Sequence, residues 1–135
     1  MSGFSGAAQS LLRIVAAGIL ICPGGMKLFG WFGGMPGPAA KGPLPPLMFA
    51  AGIIEVFGGA LIVLGLFTRP VAFIASGEMA FAYFIGHFPH GFWPIQNHGE
   101  TAVLLCFIFL FLAAAGPGPF SLDRAMRRRA APAGA

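Results

Sequence analysis

The stretch Leu47-Met48-Phe49-Ala50-Ala51-Gly52-Ile53-Ile54-Glu55-Val56-Phe57-Gly58-Gly59-Ala60-Leu61-Ile62-Val63-Leu64-Gly65-Leu66-Phe67 decides the fold. It holds one ionisable side chain, Glu55, in an otherwise apolar run. A helix of about 20 such residues crosses the hydrocarbon core of a bilayer. Three further runs read the same way, at Ala7–Phe29, Pro70–Gly86 and Gly99–Ala115. The last two are short for a span, which places Phe92 and Trp93, like Trp31 and Phe32, in an interfacial aromatic belt. The expected fold is an all-α membrane protein, a bundle of four transmembrane helices over residues 1–123. Residues 124–135 are expected to form a basic, disordered cytoplasmic tail.

Composition points to the same class. Of 135 residues, 57% are hydrophobic and 9% are charged. A soluble domain carries about 25% charged residues to coat its surface. The mean hydropathy is +0.83. The 21 glycines suit close helix contacts in lipid. No cleavable signal is expected, because the first apolar run is too long and no cleavage motif follows it.

The connections are marked by helix breakers. Residues 33–46 hold five prolines and read as a surface loop. Thr68-Arg69-Pro70 reads as a tight turn, with Pro70 suited to open a helix. Residues 87–98 hold Pro89, Gly91 and Pro94 and read as a second loop. The net charge is +4, and its densest part is Arg124, Arg127, Arg128 and Arg129. No basic groove with interleaved aromatics accompanies these arginines, so a lipid-facing flank is expected and a nucleic-acid partner is not. With both termini cytoplasmic, the inner side carries Arg13, Arg69 and the tail, while the outer side carries only Lys27 and Lys41.

Ionisable groups inside spans cost about 3 kcal/mol each on insertion scales, so they are the informative ones. Glu55 shares its helix face with Ala51, Gly52, Gly58 and Gly59. A face of small residues lets a second helix come close, which puts Glu55 in protein rather than lipid. Lys27 lies at similar depth and is the expected ion-pair partner. Such a pair either fixes helix register or serves as a proton relay or ligand head-group site. Glu78 shares a face with Ala75, Ala82 and Gly86 and is expected to point inward, with Arg13 as a partner if it reaches that far. Glu100 opens the fourth helix, where an acid suits the positive helix end and Asn97 is placed to cap it.

His87, His90 and His98 crowd one loop beside Glu100. Their spacing is not helical, and no metal site is assigned to them. Cys22 and Cys106 make no disulfide framework; they stand at comparable depth, where a thiol pair or two inert apolar side chains both fit. Phe107, Phe109 and Phe111 read as lipid-facing or packing residues.

Several motifs together resemble the DoxX family of small bacterial membrane proteins. They are Met26-Lys27-Leu28-Phe29-Gly30-Trp31-Phe32-Gly33-Gly34, Ala51-Gly52-Ile53-Ile54-Glu55-Val56-Phe57-Gly58-Gly59, and Gly65-Leu66-Phe67-Thr68-Arg69-Pro70. Ser76-Gly77-Glu78-Met79-Ala80, Gly91-Phe92-Trp93-Pro94, Gly99-Glu100, Cys106-Phe107 and Gly116-Pro117-Gly118-Pro119-Phe120-Ser121-Leu122-Asp123 complete the set. His98 stands where the family leads one to expect glycine, and Phe120 where tryptophan is common. The resemblance implies a four-helix bundle in the bacterial cytoplasmic membrane. It also implies a subunit of a quinone-linked oxidoreductase, either binding quinone or anchoring a dehydrogenase. On that reading Lys27, Glu55, Glu78 and Glu100 handle protons or quinone carbonyls. A non-catalytic assembly subunit of a larger complex is the alternative, with a small proton-coupled transporter after it. The implied partners are the bilayer and a larger protein complex, and self-association is compatible with the same apolar surface.

Overall fold

In a computed structural model of the chain, residues 3–35 and 44–130 are described. The prolines between residues 36 and 43, Lys41 and the last residues of the tail lie outside them. Every regular element among the described residues is helical.

Helix α1 runs Gly3–Phe29, α2 Pro46–Leu64 and α3 Thr68–His90. Each of these three is long and apolar enough to cross a membrane. A short helix α4, Pro94–Asn97, lies within the segment expected to be a plain loop. Helix α5, Glu100–Ala115, is apolar but shorter. Helix α6, Leu122–Ala130, occupies the segment where sequence reading placed no regular structure.

Local chemistry sets the boundaries. Pro45 and Pro46 open α2, where the missing proline N–H would have had no helical partner. Gly65, at φ 72°, closes it: Gly65 N–H donates to Ile62 O at 3.0 Å and Leu66 N–H to Leu61 O at 2.9 Å. This crossed pair satisfies two terminal carbonyls and needs a left-handed residue between them. Two helices carry a widened π turn, at Ile54–Gly58 in α2 and Tyr83–His87 in α3. Each inserts one residue and turns the side chains that follow, an irregularity found most often at functional sites. Pro23 lies inside α1 and removes one helical hydrogen bond there.

The core joins Ala16, Ala17 and Leu20 of α1 to Ile62 of α2, Ala72, Ala75 and Met79 of α3, and Leu105, Phe109 and Leu112 of α5. Alanine recurs at these contacts, so the backbones approach closely. α1 packs on α2, and α3 packs most extensively on α5. Ser76 Oγ ties the second pair by donating to Cys106 O at 2.7 Å. The outward faces are apolar as well: Phe49, Phe57, Phe73, Leu104 and Phe107 are all more than half exposed. Water would penalise such a surface and lipid does not. Of the three α5 phenylalanines, Phe109 is fully buried while Phe107 and Phe111 face outward.

The start of α1, the α2–α3 turn and the end of α5 meet at one end of the bundle, together with α6. The opposite end carries the three histidines, but the loop expected over residues 87–98 is shorter than that: His87 and His90 lie on the last turns of α3, and His98 follows α4.

Candidate functional site

Small residues build the site before any charge enters it. A Cβ on Gly24 would lie 2.7 Å from Glu55 Cβ and 2.9 Å from Val56 N, and one on Gly52 would lie 3.2 Å from Lys27 Cβ. Only glycine at both positions lets α1 and α2 touch here. The widened turn of α2 begins one residue before Glu55.

In that contact Lys27 Nζ donates to both Glu55 oxygens, at 3.1 and 2.9 Å. The side chains are 11% and 3% exposed. The pairing expected from the sequence is therefore present, and it is nearly dry. Glu78 reaches the same place from α3. Its carboxyl lies within electrostatic reach of both Glu55 and Lys27. Both Glu78 oxygens are buried, and no N–H or O–H donor among the described residues serves them. Three helices thus deliver two carboxyls and one ammonium to a single dry spot.

The expected reach of Arg13 toward Glu78 is not found. Arg13 is buried, 1% exposed, but nearer the other end of α1. It donates to Pro117 O, to Phe120 O at 2.7 Å and to Val63 O at 3.3 Å. Gln9 Nε2 donates to Gly116 O at 2.7 Å, and Ser10 Oγ accepts from Phe120 N–H at 3.2 Å. Together these bind the Gly116–Phe120 segment to α1. Sequence reading gave Arg13 a topological role and a conditional pairing with Glu78, and it missed these contacts because a carbonyl acceptor leaves no mark on a sequence.

The other candidates stand apart from the trio. Glu100 is exposed and makes no ion pair among the described residues. Cys22 is exposed, its thiol directed to Gly18 O, while Cys106 faces Ser76 at 3.6 Å; both thiols are free and no contact joins them. His90 and His98 are exposed, and a ring nitrogen of His87 lies 3.0 Å from Asn97 O. No group of three or more His, Cys, Asp or Glu is placed to hold a metal among the described residues.

Asn97 does not cap α5, whose N-cap is Gly99 with no side-chain cap bond; it ties the loop instead. Its Oδ1 accepts from Gly99 N–H at 2.8 Å, and its Nδ2 donates to Gly91 O at 2.8 Å and to Tyr83 Oη at 3.1 Å. Tyr83 in turn donates to Phe92 O at 2.7 Å. This knot shapes an aromatic cavity of about 410 Å³ between α3 and α5, lined by Met79, Tyr83, Phe88, Phe92, Trp93 and Cys106 among others.

At the far end, Asp123 accepts from Phe67 N–H at 2.8 Å and from Thr68 N–H at 2.9 Å. Partial burial works to raise its pKa. The amides of Thr68 and Phe67, with Arg127 nearby, outweigh this and hold it below the ordinary aspartate value.

The DoxX family model matches residues 8–88, which include Lys27, Glu55 and Glu78. An uncharacterised protein of Haemophilus influenzae is 42% identical over 118 residues, covering 84% of this chain and 87% of its own. Inner membrane protein YphA of Escherichia coli is 34% identical, covering 88% of this chain and 93% of its own. Inner membrane protein YqjF of the same organism is 30% identical, covering 87% and 90%. No solved structure matches.

Proposed function

The chain belongs to the DoxX family, and from that premise we propose that it is a membrane subunit of a quinone-linked redox system in which Lys27, Glu55 and Glu78 exchange protons. It is a protein of the bacterial inner membrane. We take α5 as a fourth span, with both termini cytoplasmic. Its 16 residues give about 24 Å of helix, and the flanking Phe92 and Trp93 make up the shortfall.

The observation that carries the reading is a buried Lys27–Glu55 ion pair with the donor-less, buried carboxyl of Glu78 beside it. With Lys27 as ammonium and one proton held between the two carboxyls the site is neutral, which a dry interior favours. Reduction of a quinone consumes protons along with electrons, so a buried exchangeable proton is what such a step draws on. The aromatic cavity at the same end suits a flat ring or an isoprenoid tail, being within the size range of small-molecule pockets and almost wholly apolar. Glu100, set apart from the trio, is left as an access group at the outer rim.

Replacing Glu55 or Glu78 by Gln keeps shape and removes the exchangeable proton. Quinone-dependent electron transfer in membranes is expected to fall about 100-fold in either variant at equal protein level. Unchanged transfer in both would remove the proton-exchange role. If a dehydrogenase still co-purified with those variants, the alternative of a non-catalytic assembly subunit would take its place.

A further inference from the structure

A second cavity lies at the other end from the acid–lysine trio. It measures about 1020 Å³ and is bounded by the start of α1, the α2–α3 turn, the end of α5 and helix α6. Arg69, Arg124, Arg127 and Arg128 line it against a single acid, Asp123. Positions 124, 127 and 128 are spaced to share one face of α6, whereas Arg129 is not among the lining residues.

Three features make this more than a solvated basic tail. The first turn of α6 is fixed, since Asp123 accepts from Phe67 and Thr68 N–H and its own N–H donates to Gly65 O at 2.9 Å. Both Asp123 oxygens are thereby engaged by amides, and it forms no ion pair with any of the arginines among the described residues. Arg69 is held by a 2.6 Å bond from Nη1 to Ala114 O, which leaves the rest of its guanidinium facing the cavity. The result is a concave surface anchored at Asp123 and Arg69, with four arginines against one carboxylate, and so an excess of positive charge. Guanidinium forks match phosphate oxygens in geometry and charge.

We propose that this cavity is a binding site for a phosphate-bearing head group. Its volume is far larger than one phosphate needs, and Phe67, Pro119 and Met126 add apolar lining at a bundle end. Both features favour an anionic phospholipid over a free phosphate compound. Basic pockets beside spanning helices take such head groups in this way.

The test uses the full chain purified in a neutral detergent. Its melting temperature is read on addition of phosphatidylglycerol, phosphatidylcholine or inorganic phosphate. Phosphatidylglycerol is expected to raise it in a saturable way and phosphatidylcholine is not. Arg128→Gln is expected to weaken the apparent affinity about fivefold, and Arg127→Gln with Arg128→Gln about 30-fold. Arg129→Gln, the same charge change off the cavity, is expected to leave it within twofold. Melting of each variant without ligand reports whether it folds. Equal stabilisation by inorganic phosphate would keep the site and identify a soluble phosphate compound as its ligand. Loss in Arg129→Gln as large as in Arg128→Gln, or no response to either phosphate source, would overturn the proposal.

Discussion

Gly24 faces Glu55 so closely that a single added methyl would sit 2.7 Å from Glu55 Cβ. The contact leaves α1 no room to hold the Lys27 side chain against α2 with any larger residue at position 24. Gly24→Ala is therefore expected to lower stability by about 1–3 kcal/mol through overpacking. Gly18, on the same helix, has open space where a Cβ would go. Gly18→Ala is expected to be neutral or to stabilise by about 0.5–1 kcal/mol. Unfolding in detergent compares the two, and equal effects would contradict the close approach.

Lys27 and Glu55 do not stand in equal positions within their pair. Glu78 is at hand to replace Glu55 beside the ammonium, whereas among the described residues no second cation pairs with these acids to replace Lys27. Lys27→Met is expected to cost about 3–5 kcal/mol, the range for a buried pair broken on one side. Glu55→Gln is expected to cost about 1–3 kcal/mol. The same unfolding measurement checks the order. Equal losses would place Glu78 outside the site.

His98 follows the last turn of α4 at φ 61°, in the left-handed region. A side chain there costs about 1–2 kcal/mol relative to glycine. His98→Gly is expected to raise thermal stability by up to about 1 kcal/mol after the added chain entropy of glycine is subtracted. A loss of stability would instead assign the imidazole a bonding role in the loop.

Asp123 gives the fold a pH dependence with a defined sign. Its folded-state pKa lies below the unfolded value, so its contribution is complete above the unfolded value of about 3.9. That contribution fades as pH falls through the folded pKa. The melting temperature of the wild-type chain is expected to drop more steeply than that of Asp123→Asn between about pH 4 and pH 2. Parallel curves would show that the amides of Phe67 and Thr68 do not depend on the charge.

Much of the site was legible because its logic is one of solvent. An acid within an apolar run, on a face of small residues, has few places to go, and the inward Glu55 and Glu78 and the Lys27–Glu55 pair follow from that; the approach of Glu78 to that pair does not. The basic residue Arg13 obeys the same logic but bonds only to backbone carbonyls, which every residue carries. No pattern of side chains singles out Pro117, Val63 and Phe120 as its acceptors. The widened turn at Ile54–Gly58 was hidden for a similar reason, since it is a choice among backbone hydrogen bonds that Glu55 and its glycine neighbours permit but do not demand. Asn97 read as a helix cap from its position; that its one amide instead ties Gly91, Tyr83 and Gly99 follows from a loop path set by packing. Helix α6 shows an acid at its start and arginines at its end, an order that suits a helix dipole. That signal was present in the tail and was outweighed by its charge density.

The anchoring of Arg13 has a consequence for synthesis. A ribosome delivers Arg13 to the membrane well ahead of Pro117 and Phe120, which lie 104 and 107 residues further along the chain. Until those residues emerge, the guanidinium has only Val63 among its final acceptors. The growing chain must keep that charge in water or against lipid phosphates, with α1 shifted or tilted to allow it. The bundle locks only when its last segment has been translated, so a message cut short before codon 117 yields a protein whose first helix cannot settle.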